Sequence, residues 1–267
     1  MHHCRLAPGQ LGRCRARKNE QGRIVSVNYG KVTALALDPI EKKPLRQFYP
    51  GSKILSVGSF GCNLSCPFCQ NHEISMHGEQ VADHVEMTPL QLADLAEEMQ
   101  KRGNIGVAYT YNEPLIGHEF VRDCAAIVHA RGMKNVVVTN GSVQLEILEA
   151  LLPDIDAMNI DLKGFTAAHY QRLGGDLPTV QEFIARAARS THVEVTTLIV
   201  PGENDTEEEM AAEAEWLASI DPQIPLHVTR FFPHYRMQER AATDIALIYR
   251  LREVASAYLP HVYVGNC

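Results

Sequence analysis

From Lys53 onward the chain alternates between short apolar, β-branched runs and segments of helical spacing. The runs fall at 53–58 (KILSVG), 105–110 (IGVAYT), 134–139 (KNVVVT), 156–161 (DAMNID), 193–200 (VEVTTLIV), 226–230 (LHVTR) and 262–264 (VYV). Between them, helical spacing covers 88–102, 115–131, 142–152, 178–190, 206–219 and 241–259. In the first of these, Thr88 suits an N-cap and Pro89 the first turn, and Leu92, Leu95, Ala96 and Met99 recur at i, i+3, i+4 and i+7 as one buried face. Thr206 and Glu209 form a capping-box pattern, and the acidic run Glu207–Glu209 complements the helix dipole. Strands separated by such helices read as βαβ units on a parallel sheet. Six units are too many for a small flavodoxin-like sheet and fewer than eight. The pattern predicts an α/β fold, a partial (β/α)6 TIM-like barrel, with a flat doubly wound sheet as the alternative. Either architecture gathers ligands at the carboxyl ends of its strands. Residues 1–52 differ: a hairpin is predicted over IVSVNYGKVTALAL, followed by the polar turn Asp38-Pro39-Ile40-Glu41-Lys42-Lys43-Pro44. They read as an N-terminal extension packing on a barrel domain of residues 53–267.

Composition narrows the function classes. The 267 residues are 45% hydrophobic, enough for one large core, and the formal charge of -7 argues against nucleic acid or an anionic membrane as a partner. No apolar run approaches the ~18 residues of a membrane span, and MHHCRLAPG lacks the apolar centre of a signal peptide. A cytoplasmic protein is expected. In that reducing compartment, seven cysteines point to metal binding or catalysis rather than disulfides.

Three of them cluster. GCNLSCPFCQN places Cys62, Cys66 and Cys69 as C-x3-C-x2-C in a loop directly after the first barrel strand. Thiolates at this spacing suit zinc or an iron–sulfur centre. A closed zinc site needs a fourth ligand, which His72 offers locally; a [4Fe–4S] cluster on three cysteines keeps one iron open for a small molecule.

The triplet, its position after the first strand and the aromatic Phe68 before its last cysteine resemble the signature of the radical SAM superfamily, over roughly residues 51–265. The resemblance implies a [4Fe–4S] cluster on Cys62, Cys66 and Cys69 whose open iron binds S-adenosylmethionine (SAM). It also implies one-electron cleavage of SAM to a 5′-deoxyadenosyl radical that takes hydrogen from a substrate, with an electron donor such as flavodoxin or ferredoxin. Tyr109–Pro114 is similar to the family's Gly-Gly-Glu-Pro segment without the glycines, so Glu113, with Thr110 and Asn112, carries the implied contact to the SAM ammonium. Thr139-Asn140-Gly141 and Asn159-Ile160-Asp161-Leu162-Lys163 are similar to segments of activating enzymes for glycyl radical enzymes. They imply Asn140, Asp161 and Lys163 as further SAM contacts, and Asn266 near the adenine. Two positions depart from those activating enzymes: Val138 stands where an Asp is usual and Thr196 where an Arg is usual.

The combination DPIEKKPL, FYPG, GCNLSCPFCQN, YTYNEP, NIDLKGF, RFFPHY and YVGN resembles, more narrowly, the radical SAM component of the AmmeMemoRadiSam grouping, often labelled pyruvate formate-lyase activating enzyme-like. That resemblance implies AMMECR1-like and Memo-like proteins as partners and names no substrate. His227, Arg230, His234 and Tyr235, at and beyond the sixth strand's end, are the candidate substrate-facing residues. Activation of a glycyl radical enzyme is the alternative within this chemistry, and a zinc-binding, non-catalytic barrel acting as an adaptor the alternative outside it. Cys124 reads as a buried helix residue. Cys4, Cys14 and Cys267 read as separate thiols near the chain ends, or, with His2 or His3, as a second metal site.

Overall fold

The computed structural model describes His2 and residues 4–80 and 82–267; His3 therefore lies outside the described residues. Its strands are β1 (Arg17–Glu20), β2 (Arg23–Ser26), β3 (Lys31–Val32), β4 (Ala34–Pro39), β5 (Lys53–Gly58), β6 (Val85–Glu86), β7 (Asn104–Tyr109), β8 (Lys134–Thr139), β9 (Ala157–Asp161), β10 (His192–Ile199), β11 (Leu226–Arg230) and β12 (Val262–Gly265). Its α-helices are α1 (His72–Ser75), α2 (Pro89–Glu98), α3 (His118–Ala130), α4 (Leu145–Leu151), α5 (Ala167–Leu173), α6 (Leu177–Ala187), α7 (Glu207–Ile220) and α8 (Ile245–Ser256).

One sheet organises the molecule, in the order β12-β11-β10-β9-β8-β7-β5-β4. All neighbouring pairs are parallel except β4 with β5. The end strands β12 and β4 are not paired with each other, so the curved sheet is a partial TIM-like barrel of six βα units closed by β12. Its central strands are buried along almost their whole length, as a parallel sheet covered on both faces requires. Outward-facing Leu55, Val107, Val137, Met158 and Val195 join the helices in the main core.

The helix ends follow the sequence signals. Thr88 accepts from the Gln91 amide in a full capping box with Pro89 in the first turn. Thr206 caps α7 by accepting from the Glu209 amide. Helix α5 was not marked by the hydrophobic pattern. It spans only seven residues, held between the Thr166 cap and Gly174 in a left-handed conformation.

The predicted hairpin over 24–37 does not form. β2 pairs backward with β1, β3 pairs with the distant β6, and β4 becomes the antiparallel edge of the barrel sheet beside β5. Alternation marks a strand but not its partner, and here β4 finds a long buried partner in β5. Residues 40–48 then enter the lumen, where Ile40, Leu45 and Phe48 pack on Ile54, Ala108, Val136 and Ala157.

One buried carboxyl leaves a measurable signature. Glu213 on α7 is buried against β10 and accepts a hydrogen bond from Thr197 Oγ1. Burial outweighs that bond and raises its pKa to about 8. The folded chain thus holds this proton more tightly than the unfolded chain does. Its stabilising contribution is complete below the ordinary carboxyl range and lost as pH rises through about 8. Glu213→Gln is expected to flatten the fall in thermal stability between pH 6 and 9 and to add about 2–3 kcal/mol at the alkaline end. Parallel melting curves across that range for both proteins would refute this.

Candidate active site

A cavity of about 530 Å³ opens at the carboxyl ends of the strands, and Cys62, Cys66 and Cys69 all line it. Their loop is tied down on every side. Asn112 accepts from the Ser59 amide at 3.0 Å and donates to the carbonyls of Phe60 and Gly61 at 3.2 and 3.1 Å. The Ser65 amide donates to the Leu173 carbonyl at 2.8 Å, and the Arg236 amide to the Pro67 carbonyl at 3.0 Å. Gly61, directly before Cys62, has φ +85°, and a Cβ there would sit 2.4 Å from the Cys14 carbonyl oxygen, so only glycine lets the N-terminal segment lie against this loop. Burial pushes all three thiols up, Cys66 to about 12, so the metal-free loop is neutral and metal binding releases protons.

Glu113 caps the turn after β7, accepting from the Leu115 amide at 3.0 Å. It also reaches the next strand's end, accepting from Thr139 Oγ1 at 2.7 Å and the Asn140 amide at 2.8 Å. It is 2% exposed, and burial outweighs these donors to raise its pKa to about 7. Asn140 donates to Asn63 Oδ1 at 2.8 Å and lies 3.7 Å from the Cys62 sulfur. Lys163 pairs with Asp161 at 2.9 Å; burial works against its charge, but the Asp161 carboxylate outweighs it and keeps the ammonium protonated.

Thr110, Asn112, Glu113, Asn140, Asp161, Lys163 and Asn266 therefore share one cavity with the cysteines. Asn112 spends its side chain on the cysteine loop rather than on open space. Of the four residues expected to face substrate, His227 alone lines the cavity. Its Nε2 meets Glu194 at 2.6 Å, a buried structural contact. Arg230 turns its Nε to the Thr243 carbonyl at 2.6 Å and its guanidinium over the Phe232 ring. His234 and Tyr235 pack on His72, with ring centroids 5.1 and 4.5 Å away. Arg230, His234 and Tyr235 do not line the cavity.

The zinc alternative with His72 finds no support in this arrangement. Among the described residues, no three Cys, His, Asp or Glu side chains converge to hold a single metal ion, and the His72 ring is stacked on Tyr235. A four-iron cluster presents separate iron corners and does not need its three thiolates to meet at one point, so the donor set fits it. Cys4 and Cys14 line a separate recess with His2 and, among the described residues, belong to no converging group of three metal-holding side chains, and Cys267 is exposed. Cys124 is fully buried in α3, as its helical spacing implied. Lys42 and Arg46 also line the main cavity and were missed as site residues. Lys42 lies in the DPIEKKPL segment and Arg46 directly follows it, both remote in sequence from the strand-end motifs.

Residues 56–217 match the Radical SAM superfamily. The chain belongs to the radical SAM superfamily. It is an enzyme of that superfamily, whose cofactors are a [4Fe–4S] cluster and SAM. Radical SAM enzymes generally draw their electron from flavodoxin or ferredoxin. The chain is 38% identical to Uncharacterized protein MJ0808 of Methanocaldococcus jannaschii, over 99% of this chain and 79% of that one. It is 29% identical to the 4-hydroxyphenylacetate decarboxylase activating enzyme of Clostridioides difficile, over 55% of this chain and 47% of that one. The structure of Streptococcus suis SuiB bound to S-adenosylmethionine shares the fold, with a TM-score of 0.61 at 14% identity, over 80% of this chain and 52% of that one. No helix among the described residues is long and apolar enough to cross a membrane.

Proposed function

We propose that this radical SAM enzyme holds its cluster on Cys62, Cys66 and Cys69 and orients SAM with Glu113, Asn140, Asp161, Lys163 and Asn266. The observation carrying this reading is that all these residues, brought from five different strand ends, line one cavity. When bound, the cluster and SAM supply one-electron cleavage of a sulfonium–carbon bond and a 5′-deoxyadenosyl radical that takes a hydrogen atom from substrate. The chain's own part is binding, orientation and exclusion of water. Glu113 uses three of its roughly four lone-pair sites on Thr139, Leu115 and Asn140, leaving one for an ammonium donor. Protonated Lys163, held by Asp161, faces the same space as a fixed positive charge suited to a carboxylate. The motif set, including DPIEKKPL and RFFPHY, supports membership of the AmmeMemoRadiSam grouping, with AMMECR1-like and Memo-like proteins as partners. Activation of a glycyl radical enzyme is less well supported. Val138 lines the cavity as an apolar side chain, and Thr196 is engaged by Asn159 at 2.9 Å.

Anaerobic reconstitution with iron and sulfide tests the reading. Cluster absorption and 5′-deoxyadenosine formation with dithionite are expected; stoichiometric zinc without SAM cleavage would overturn it. Glu113 adds a pH signature. Its carboxyl takes up a proton as pH falls through about 7, removing the acceptor for the ammonium, so SAM affinity should fall between pH 8 and 6. Glu113→Gln should weaken SAM binding about tenfold or more and remove most of that pH dependence. A pH-independent SAM affinity in the wild type would count against the assignment.

A further inference from the structure

The turn directly ahead of Glu113 is strained. The Asn112 amide donates to the Thr110 carbonyl at 3.0 Å, two residues back, and Tyr111 between them has φ +71°. This matches the rare, strained form of the γ-turn, in a region of backbone space that bulky side chains avoid. In the radical SAM segment that Tyr109–Pro114 resembles, the two positions held here by Tyr111 and Asn112 are glycines. A glycine adopts this φ without penalty; here a tyrosine is held in it.

The Tyr111 side chain is gripped from the DPIEKKPL segment. Tyr111 lines the cavity, and it packs on Gly58 at the end of β5, where a Cβ would sit 2.9 Å from Tyr111 Cδ2. Its hydroxyl donates to Asp38 Oδ2 at 2.7 Å. The same oxygen accepts from Lys43 Nζ at 2.9 Å, and that ammonium stands 4.6 Å from the Tyr111 ring centroid. Asp38 and Lys43 are both buried, at 8% and 3% exposed. Burial would raise the Asp38 pKa, but the hydrogen bonds from Lys43 and Tyr111 outweigh it and hold the carboxyl well below its usual range. The phenol is thus held by a buried, ionised carboxylate and a buried cation.

The turn in its own right touches both ends of the cysteine loop. The Tyr111 carbonyl accepts from Asn71 Nδ2 at 2.7 Å, two residues past Cys69. Asn112 binds the Ser59 amide and the Phe60 and Gly61 carbonyls just ahead of Cys62, and Glu113 follows at once. The strain of a residue held in this region and the worth of a hydrogen bond to an ionised carboxylate are of the same order, so the second can offset the first. We propose that Tyr111, gripped by Asp38 and Lys43, is a positioning residue: it keeps this turn closed and so sets Glu113 and the cysteine loop for SAM. This rests on the radical SAM reading of the cavity.

The test compares wild type, Tyr111→Phe and Tyr111→Gly after anaerobic reconstitution. SAM affinity is read by calorimetry, stability by the melting temperature, and SAM cleavage with dithionite by KM and kcat. Tyr111→Phe keeps the ring but loses the bond to Asp38, so the strained turn is no longer held. It should bind SAM about tenfold or more weakly, raising KM and sparing kcat. Tyr111→Gly loses the whole grip but accepts a positive φ freely, so its SAM affinity should stay close to that of the wild type. Its melting temperature should nevertheless fall below that of Tyr111→Phe, because it loses the ring packing as well. Affinity and stability should therefore rank the two variants in opposite orders, where a merely structural role would rank them alike. Equal SAM affinity in wild type and Tyr111→Phe, or affinity that follows melting temperature, overturns the proposal. Where Tyr111→Gly does not fold, the affinity and KM of Tyr111→Phe decide alone. A wild type that forms no 5′-deoxyadenosine overturns the radical SAM reading and this proposal with it, whereas cleavage with SAM affinity unchanged in Tyr111→Phe removes the role of Tyr111 alone.

Discussion

Cys66→Ala should abolish cluster absorption and lower 5′-deoxyadenosine formation by a factor of about a thousand or more, to background, because catalysis by a cofactor enzyme disappears with the cofactor. The fold should survive the change. Cys66 is 7% exposed and packs with Leu64, Phe68, Leu173, Val200, Phe231 and Met237, so the lost sulfur leaves only a small void. The metal-free protein is expected to lose about 1 kcal/mol. Because the backbone ties of the loop run through Asn112, Leu173 and Arg236, they do not depend on the Cys66 side chain. Cys124→Ala is the matched control: it removes an equally buried thiol in α3 and should retain the cluster. Full SAM cleavage by Cys66→Ala, or its loss in Cys124→Ala at unchanged stability, would show that the cluster is held elsewhere.

Glu194→Ala should be the most destabilising single truncation in the lumen, by about 3–5 kcal/mol. The carboxylate is fully buried and accepts from the Arg46 and Gln47 amides, while His192 and His227 meet it at 3.0 and 2.6 Å. Burial alone would raise its pKa, but these four partners outweigh burial and hold it at about 2. A carboxyl depressed in the folded state contributes stability that is present above its ordinary range and lost as pH falls through about 2. Wild-type stability should therefore decline on acidification below about pH 4.5, and Glu194→Ala should flatten that decline as well as lowering the melting temperature. Limited proteolysis should then cut within 40–48, where the truncation frees the backbone. A loss under about 1 kcal/mol, with no new cleavage in that stretch, would show that the apolar contacts of Ile40, Leu45 and Phe48 hold the segment unaided.

Strand and helix positions in the barrel were legible because each is written locally. The run KNVVVT coincides with β8, LHVTR with β11, and the spacing of Leu92, Ala96 and their neighbours with the buried face of α2. The short α5 was not marked, because AAHYQRL mixes polar residues among its apolar ones without the Leu/Ile spacing that marked α4, although its cap and terminal glycine were in plain view. The N-terminal hairpin failed for a different reason. The alternation of 24–37 is real, yet the partners of β2, β3 and β4 lie upstream, in β6 and in β5, and pairing is chosen by which buried edge is available.

The candidate site divides along the same line. Cysteine spacing and the order of strand-end motifs are local properties, so the sequence alone picked out Cys62, Cys66, Cys69, Glu113, Asn140, Asp161 and Lys163 as candidates, and all of them line the cavity. Only the tertiary structure decided that Arg230, His234 and Tyr235 face away from the cavity, and that Glu113 is shared between two strand ends through Thr139 and Asn140. It alone tied the backbone of the lumen segment at Arg46 to Glu194, 148 residues further along the chain. Such contacts carry no periodic trace, because the partners are set by how strands order themselves around a shared core rather than by their immediate neighbours.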